Sequence, residues 1–204
     1  MPILLASLWG ATIYFERLWL LTAANVIPPA LRKKVGSLVS QGKIQEALVL
    51  AESSETPYAK IMRQILEKSD RVYPHLRETA EDAGKEQVEF LERRMSSLNT
   101  VIAIAPLMGL LGTVLGMITV FQAVAETGVG SPMDMASGIW EALLSTAFGL
   151  SVAIVALVAH RHLSGRIDRF VSALEKESVN VVETLDVLNL STSEHAGSNN
   201  DETE

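Results

Sequence analysis

The sequence predicts an all-α membrane protein with three transmembrane helices and long helical cytoplasmic extensions. Charge is divided unevenly: residues 30–94 hold 12 Lys/Arg and 11 Asp/Glu, whereas residues 95–160 hold only Glu126, Asp134 and Glu141. Two stretches of the charge-poor half exceed the length of about 20 apolar residues that crosses a bilayer core. The flanking segments repeat apolar residues at helical spacing. The bulk figures, 48% hydrophobic and 20% charged over 204 residues, would suit a soluble chain. A mean hydropathy of +0.24 is the first departure from that picture.

The first span is expected within residues 1–24. PILLASLWGATIYF precedes Glu16-Arg17, and LWLLTAANVI follows. A signal peptide is the competing reading, but no basic segment precedes the apolar run and no small-x-small site closes it. Arg17 is expected to snorkel to the headgroups. The span starts abruptly at Met1, so an incomplete first span, with residues missing before Met1, is left open.

Residues 25–97 read as a cytoplasmic helical segment. Gly42 separates two short helical runs. Thr56-Pro57 reads as an N-cap followed by Pro at the first helical position. Ile61, Ile65 and Leu66 form an apolar stripe. From Pro74 a charged helix is expected to run on into the second span, with Val88, Leu91, Met95 and Leu98 on one face.

The second span is expected at 98–125, a short connector at 126–134 and the third span at 135–160. A cytoplasmic helix is expected at 161–190, on the near-heptad series Leu163, Ile167, Phe170, Leu174, Val181, Leu185 and Leu188. Residues 191–204 lack apolar periodicity and are expected to be disordered. Of the 17 Lys/Arg, all but Arg17 lie in 30–94 or after the third span. The positive-inside rule then places the N-terminus and the 126–134 connector outside and the C-terminus inside.

Several function classes are excluded or weakened. Without cysteine there is no disulfide, thiolate metal site or catalytic thiol. A net charge of −7 argues against nucleic acid as partner. Phosphate-binding loops, the G-x-S-x-G elbow and the His-Glu-x-x-His motif do not occur. His160 and His162 flank Arg161 at a span boundary, which is a weak metal signal. No cofactor, metal or enzymatic activity is expected.

The polar groups inside the spans are few. A membrane carboxylate is expensive and usually faces protein or water. Glu141 is therefore either an ion-pathway or inter-subunit carboxylate, or an interfacial residue that reaches headgroups or a neighbouring chain. Thr113 and Thr146 are both expected near the bilayer midplane. Such hydroxyls can relay a proton, or simply bond a carbonyl one turn back. Glu141 and Thr146 lie about 140° apart on an ideal helix, so both cannot point straight into a narrow pore. Small residues form ridges: Ala105, Gly109, Gly112 and Gly116 on the second span, and Gly138, Ala142, Gly149 and Ala153 on the third. Tight packing explains them, and such packing can also build a pore wall. Pro106 is expected to kink or loosen the second span.

The segments APLMGLLGTVLGMITVF (105–121) and GIWEALLSTAFGLSVAI (138–154) resemble the paired signature of the ExbB/TolQ/MotA proton-channel family. IYFERLWLL (13–21), GKIQEALVLAE (42–52) and TPYAKIMRQIL (56–66) are similar to its first-span end and cytoplasmic helices. The resemblance covers about residues 1–188 and fits the ExbB/TolQ branch, ExbB best, over the four-span MotA branch.

It implies a pentameric ring in the Gram-negative inner membrane, whose outside is the periplasm and whose inside is the cytoplasm, with a pore lined by the second and third spans. It also implies a single-span partner of the ExbD type inside that pore, whose aspartate carries protons, and a TonB-type transducer. By the same resemblance Thr113, Thr146 and Glu141 fall on the proton pathway. Pro106, Gly109, Gly112, Gly116, Ala142 and Gly149 fall on the pore wall. The implied function is proton-driven energisation of TonB-dependent transport. The alternatives are the TolQ role in the Tol-Pal envelope system and a non-conducting membrane scaffold.

Overall fold

The computed structural model describes residues 2–71, 73–128 and 132–198, and every regular element among them is a helix. In order these are α1 (Pro2–Leu20), α2 (Ala23–Val26), α3 (Pro29–Ser40), α4 (Ile44–Glu52), α5 (Pro57–Leu66), α6 (Tyr73–Glu92), α7 (Met95–Thr127) and α8 (Pro132–Ser198). The chain divides into two compact units, one of residues 1–19 and 93–164, the other of residues 20–92 and 165–204.

Local chemistry explains three of the helix ends. Gly42, at φ +74, ends α3 in a Schellman motif. Its N–H donates to the Val39 carbonyl at 2.9 Å, and the Lys43 N–H to that of Leu38 at 2.9 Å. The Thr56 hydroxyl accepts from the Ala59 N–H at 3.4 Å, and Pro57 opens α5, as the sequence predicts. Gly128, at φ +78, closes α7.

The predicted uninterrupted helix from Pro74 into the second span is not what forms. Arg93 and Arg94 make a turn between α6 and α7. Neither is a helix breaker, so nothing local announces it. Arg94 is held instead by an ion pair to Glu16.

In the unit of residues 20–92 and 165–204, α3 packs on α4, α4 on α5 and α5 on α6. Its core centres on α5, where Tyr58, Ile61, Met62, Ile65 and Leu66 are buried, the predicted stripe among them. Burial pushes the Tyr58 phenol above its ordinary value; Glu177 adds to the shift and Arg32 opposes it. On α8, Ile167, Leu174, Val181 and Leu185 are buried, while Phe170 and Leu188 are half-buried. Ser178 fills the gap in that series and donates its hydroxyl to the Leu174 carbonyl at 2.8 Å. Arg32–Glu177 at 3.5 Å and Asn189 to the Ser69 carbonyl at 2.9 Å hold α8 in this unit.

The unit of residues 1–19 and 93–164 combines α1, α7 and the first part of α8. α1 buries Gly10, Ile13 and Arg17, three positions on one helical face. A Cβ at Gly10 would sit 3.4 Å from Val101 Cγ1. Arg17 is buried, not snorkelling, because it shares the inward stripe of Gly10 and Ile13. Its neighbour Glu16 carries the half-exposed pair to Arg94.

Met95–Glu126 and Pro132–Leu190 are long and apolar enough to cross a membrane. α1 does not reach that measure, since Glu16 and Arg17 offset its apolar run. The apolar windows of the two longer helices are only 17% and 22% buried. A core helix of a soluble protein would hide that surface. Leu107, Leu111, Phe121, Trp140, Phe148 and Val155 instead face outward, towards an apolar surrounding of lipid or other protein. The helix is continuous through Pro106. α8 extends to Ser198, beyond the expected end at 190. Residues 129–131 of the connector and 199–204 of the expected tail lie outside the described residues.

Candidate functional site

The two spanning helices meet along a seam of small residues. Ala105 faces Gly149, Gly109 faces Ser145 to Gly149, Gly112 faces Ser145, Gly116 faces Ala142, and Val120 faces Gly138. Numbers rise along α7 as they fall along α8, so the helices are antiparallel.

The approach is backbone to backbone. A Cβ on Gly149 would lie 2.6 Å from the Ala105 carbonyl oxygen and 2.9 Å from Gly109 Cα. One on Gly109 would meet the Ser145 oxygen and Thr146 Cα at 3.0 Å. One on Gly112 would lie 2.6 Å from Ser145 Cβ, and one on Gly116 2.8 Å from Ala142 Cβ. Only residues without side chains allow this fit, as in small-xxx-small packing between membrane helices. Gly109, Gly112, Gly116, Ala142 and Gly149 all stand on this seam. Pro106 is half-buried one position beyond Ala105.

The same register fixes the level of the two threonines. Thr113 stands across from residue 144, and Thr146 across from residues 109–111, so they differ by about 3–6 Å along the helix axes. Their hydroxyls are treated differently. Thr113 donates to the Leu110 carbonyl at 2.7 Å. Thr100, Thr119 and Ser151 likewise bond carbonyls one turn back, at 3.0, 3.0 and 2.8 Å. The Thr146 hydroxyl is buried and has no hydrogen-bond partner among the described residues. Leaving a buried hydroxyl unpaired costs about 1–3 kcal/mol, so it calls for an explanation other than packing.

Glu141 is placed elsewhere. Its neighbour Ala142 is buried on the seam, while Glu141 itself is exposed. It makes no ion pair or hydrogen bond among the described residues. The structure therefore brings Thr113 and Thr146 to within about one helical turn of each other along the axes and leaves Glu141 on another face, five residues back along α8. The missing partner of Thr146 and the Glu16–Arg94 pair, 78 residues apart, are tertiary facts with no signal in the sequence.

No cluster of three or more potential metal ligands occurs among the described residues. His162 packs edge-on against the Tyr14 ring at 6.4 Å.

Comparison with known proteins points in one direction. The sequence model of the MotA/TolQ/ExbB proton channel family matches residues 53–176. A putative biopolymer transport protein ExbB homolog of Methanothermobacter thermautotrophicus is 29% identical over 83% of this chain and 60% of its own length. A putative biopolymer transport protein ExbB-like 1 of Synechocystis is 35% identical over 79% of this chain and 65% of its own length. The Tol-Pal system protein TolQ of Haemophilus influenzae is 38% identical over 50% of this chain and 42% of its own length. The chain thus spans under two thirds of each of these relatives. The structure of C. jejuni MotAB shares the fold, with a TM-score of 0.56 over 90% of this chain and 73% of that chain, at 19% identity.

Proposed function

The chain belongs to the MotA/TolQ/ExbB proton channel family, and on that premise we propose that it is an ExbB-like subunit of a proton-driven motor in the bacterial inner membrane. With a single-span partner of the ExbD type it would use the proton motive force to energise TonB-dependent transport across the outer membrane.

The observation that carries this reading is the placement of Thr113 within about one helical turn of the Thr146 hydroxyl, which has no partner among the described residues, in two antiparallel apolar helices. The Thr146 hydroxyl has a hydrogen bond to spare, and a group brought by another chain takes it up once the buried oxygen is uncovered. The aspartate that titrates in such a motor belongs to the partner, because α7 has none and α8 has only Asp134, in its first turn, before Asp168. α1 serves as the first span: its 19 residues reach about 28 Å, close to the thickness of a bilayer core. The exposed apolar faces of α1, α7 and α8 suit lipid on one side and neighbouring copies in a pentamer on the other. Glu141, exposed and unpaired among the described residues, suits an ion-pathway or inter-subunit role.

The TolQ role is the second reading, favoured by the 38% identity to the Haemophilus protein. Co-purification with ExbD-type and TolR-type partners, followed by native mass measurement, separates the two and counts the subunits. Proton uptake by proteoliposomes holding the complex tests the pathway. Thr113→Val with Thr146→Val should suppress it. Unchanged uptake removes the hydroxyls from the pathway. A fully active Glu141→Ala chain, assembled normally, favours the non-conducting scaffold.

A further inference from the structure

Where α8 leaves its apolar run, the chain gathers positive charge around a groove of about 460 Å³. Arg32, Arg166 and Arg169 line it, against an apolar wall that includes Ala23, Ile27 and Phe170. We propose that this groove binds the phosphate headgroup of an anionic phospholipid at the membrane surface.

The three guanidiniums are far from neutralised. Arg32 pairs with Glu177 at 3.5 Å. Arg166 donates to the Leu21 carbonyl at 2.7 Å, a neutral acceptor that leaves its charge intact. Arg169 has no ion pair or hydrogen bond among the described residues. One carboxylate thus answers three arginines. Arginine forks match phosphate oxygens in bidentate geometry, which makes phosphate the fitting ligand class.

Position selects the lipid as the source. α1 ends at Leu20, and Arg166 bonds the carbonyl of the very next residue, so its guanidinium stands where the first helix ends. In the sequence, Arg166 and Arg169 follow closely on the apolar run that ends at Ala159. Helical side chains lean towards the N-terminus of their helix, here back towards that apolar run. Basic pockets at this level of membrane helices suit anionic headgroups, and an apolar wall offers a surface for the glycerol and first methylenes that a free phosphate would leave unused.

This inference rests on the membrane location alone, not on proton conduction, so its test needs neither a partner nor a gradient. The full chain is placed in phosphatidylcholine nanodiscs with and without phosphatidylglycerol, and retained lipid is read by native mass spectrometry. The wild-type chain should retain phosphatidylglycerol preferentially. Arg169→Gln should lower that preference about fivefold, as expected for one surface arginine, with Arg169→Lys intermediate. Arg32→Gln with Arg169→Gln should abolish it. Should the double variant fail to fold, Arg169→Gln decides alone, since Arg169 has no bond to lose among the described residues. Equal retention of the two lipids by the wild-type chain, or full preference in Arg169→Gln, overturns the proposal. So does inorganic phosphate that displaces phosphatidylglycerol completely, which would make this a free-anion site. None of these results bears on the motor reading.

Discussion

Gly149 stands directly against the carbonyl of Ala105: a methyl group on Gly149 would lie 2.6 Å from that oxygen. The obstacle is backbone, which cannot swing aside as a side chain does. The two helices therefore cannot accept even alanine there without moving apart.

Gly149→Ala is expected to destabilise the α7–α8 pair by about 1–3 kcal/mol, the usual range for an overpacked core. Gly165→Ala is the control, since nothing lies within 4 Å of the Cβ it would add. That change should be neutral or stabilising by up to about 1 kcal/mol through helix propensity. Unfolding of both variants in the same detergent measures the contrast.

Thr146→Val separates function from stability. Valine keeps the shape and removes a buried hydroxyl that has no partner among the described residues. The variant should be as stable as the wild type or more so, by up to about 1–3 kcal/mol, while proton uptake by the assembled complex falls. A loss of stability at unchanged uptake would assign the hydroxyl a structural bond instead.

Tyr58 gives a pH prediction outside the spans. Its ring is buried and its hydroxyl has no partner among the described residues. The fold raises the phenol pKa, so it favours the neutral form. That stability is fully present below the ordinary tyrosine pKa of about 10 and is lost as pH climbs above it towards the folded value. Tyr58→Phe should flatten the alkaline fall in stability, and near neutral pH should be neutral or stabilising. Unfolding curves from neutral to strongly alkaline pH, compared between the two chains, check both parts.

Gly42→Ala should weaken the α3–α4 connection by about 1–2 kcal/mol, because a left-handed backbone at φ +74 suits glycine and burdens a side chain. The neighbouring space is open, so no clash contributes. Hydrogen exchange of the Gly42 and Lys43 amides should quicken in the variant.

Features written in local chemistry were legible in the sequence. The Thr56-Pro57 cap, the Gly42 stop and the Ile61, Ile65 and Leu66 stripe each depend on residues within a turn or two of one another. The small-residue ridges were legible as ridges, because helical spacing lines them up before any partner is known. Their pairing was not, since the register of Gly116 on Ala142 is a property of two helices. The turn at Arg93–Arg94 was hidden because neither residue breaks a helix. Arg17 was misjudged because a charge at a span end ordinarily turns outward, and only its common face with Gly10 and Ile13 draws it in. The unpaired state of the Thr146 hydroxyl was beyond reach: its distinction from Thr113 is the lack of a hydrogen-bond partner among the described residues, and sequence records neighbours only along the chain.

The interlocked seam also limits how such a subunit can deform. Two helices whose backbones touch at Gly109 and Gly149 have no compressible layer of side chains between them, and close-packed interiors pass strain on instead of absorbing it. In the ring proposed above, each α7–α8 pair would then behave like one stave of a cask. Staves tilt, slide or turn against their neighbours, and the bore they enclose changes shape at the joints while the wood itself stays unbent.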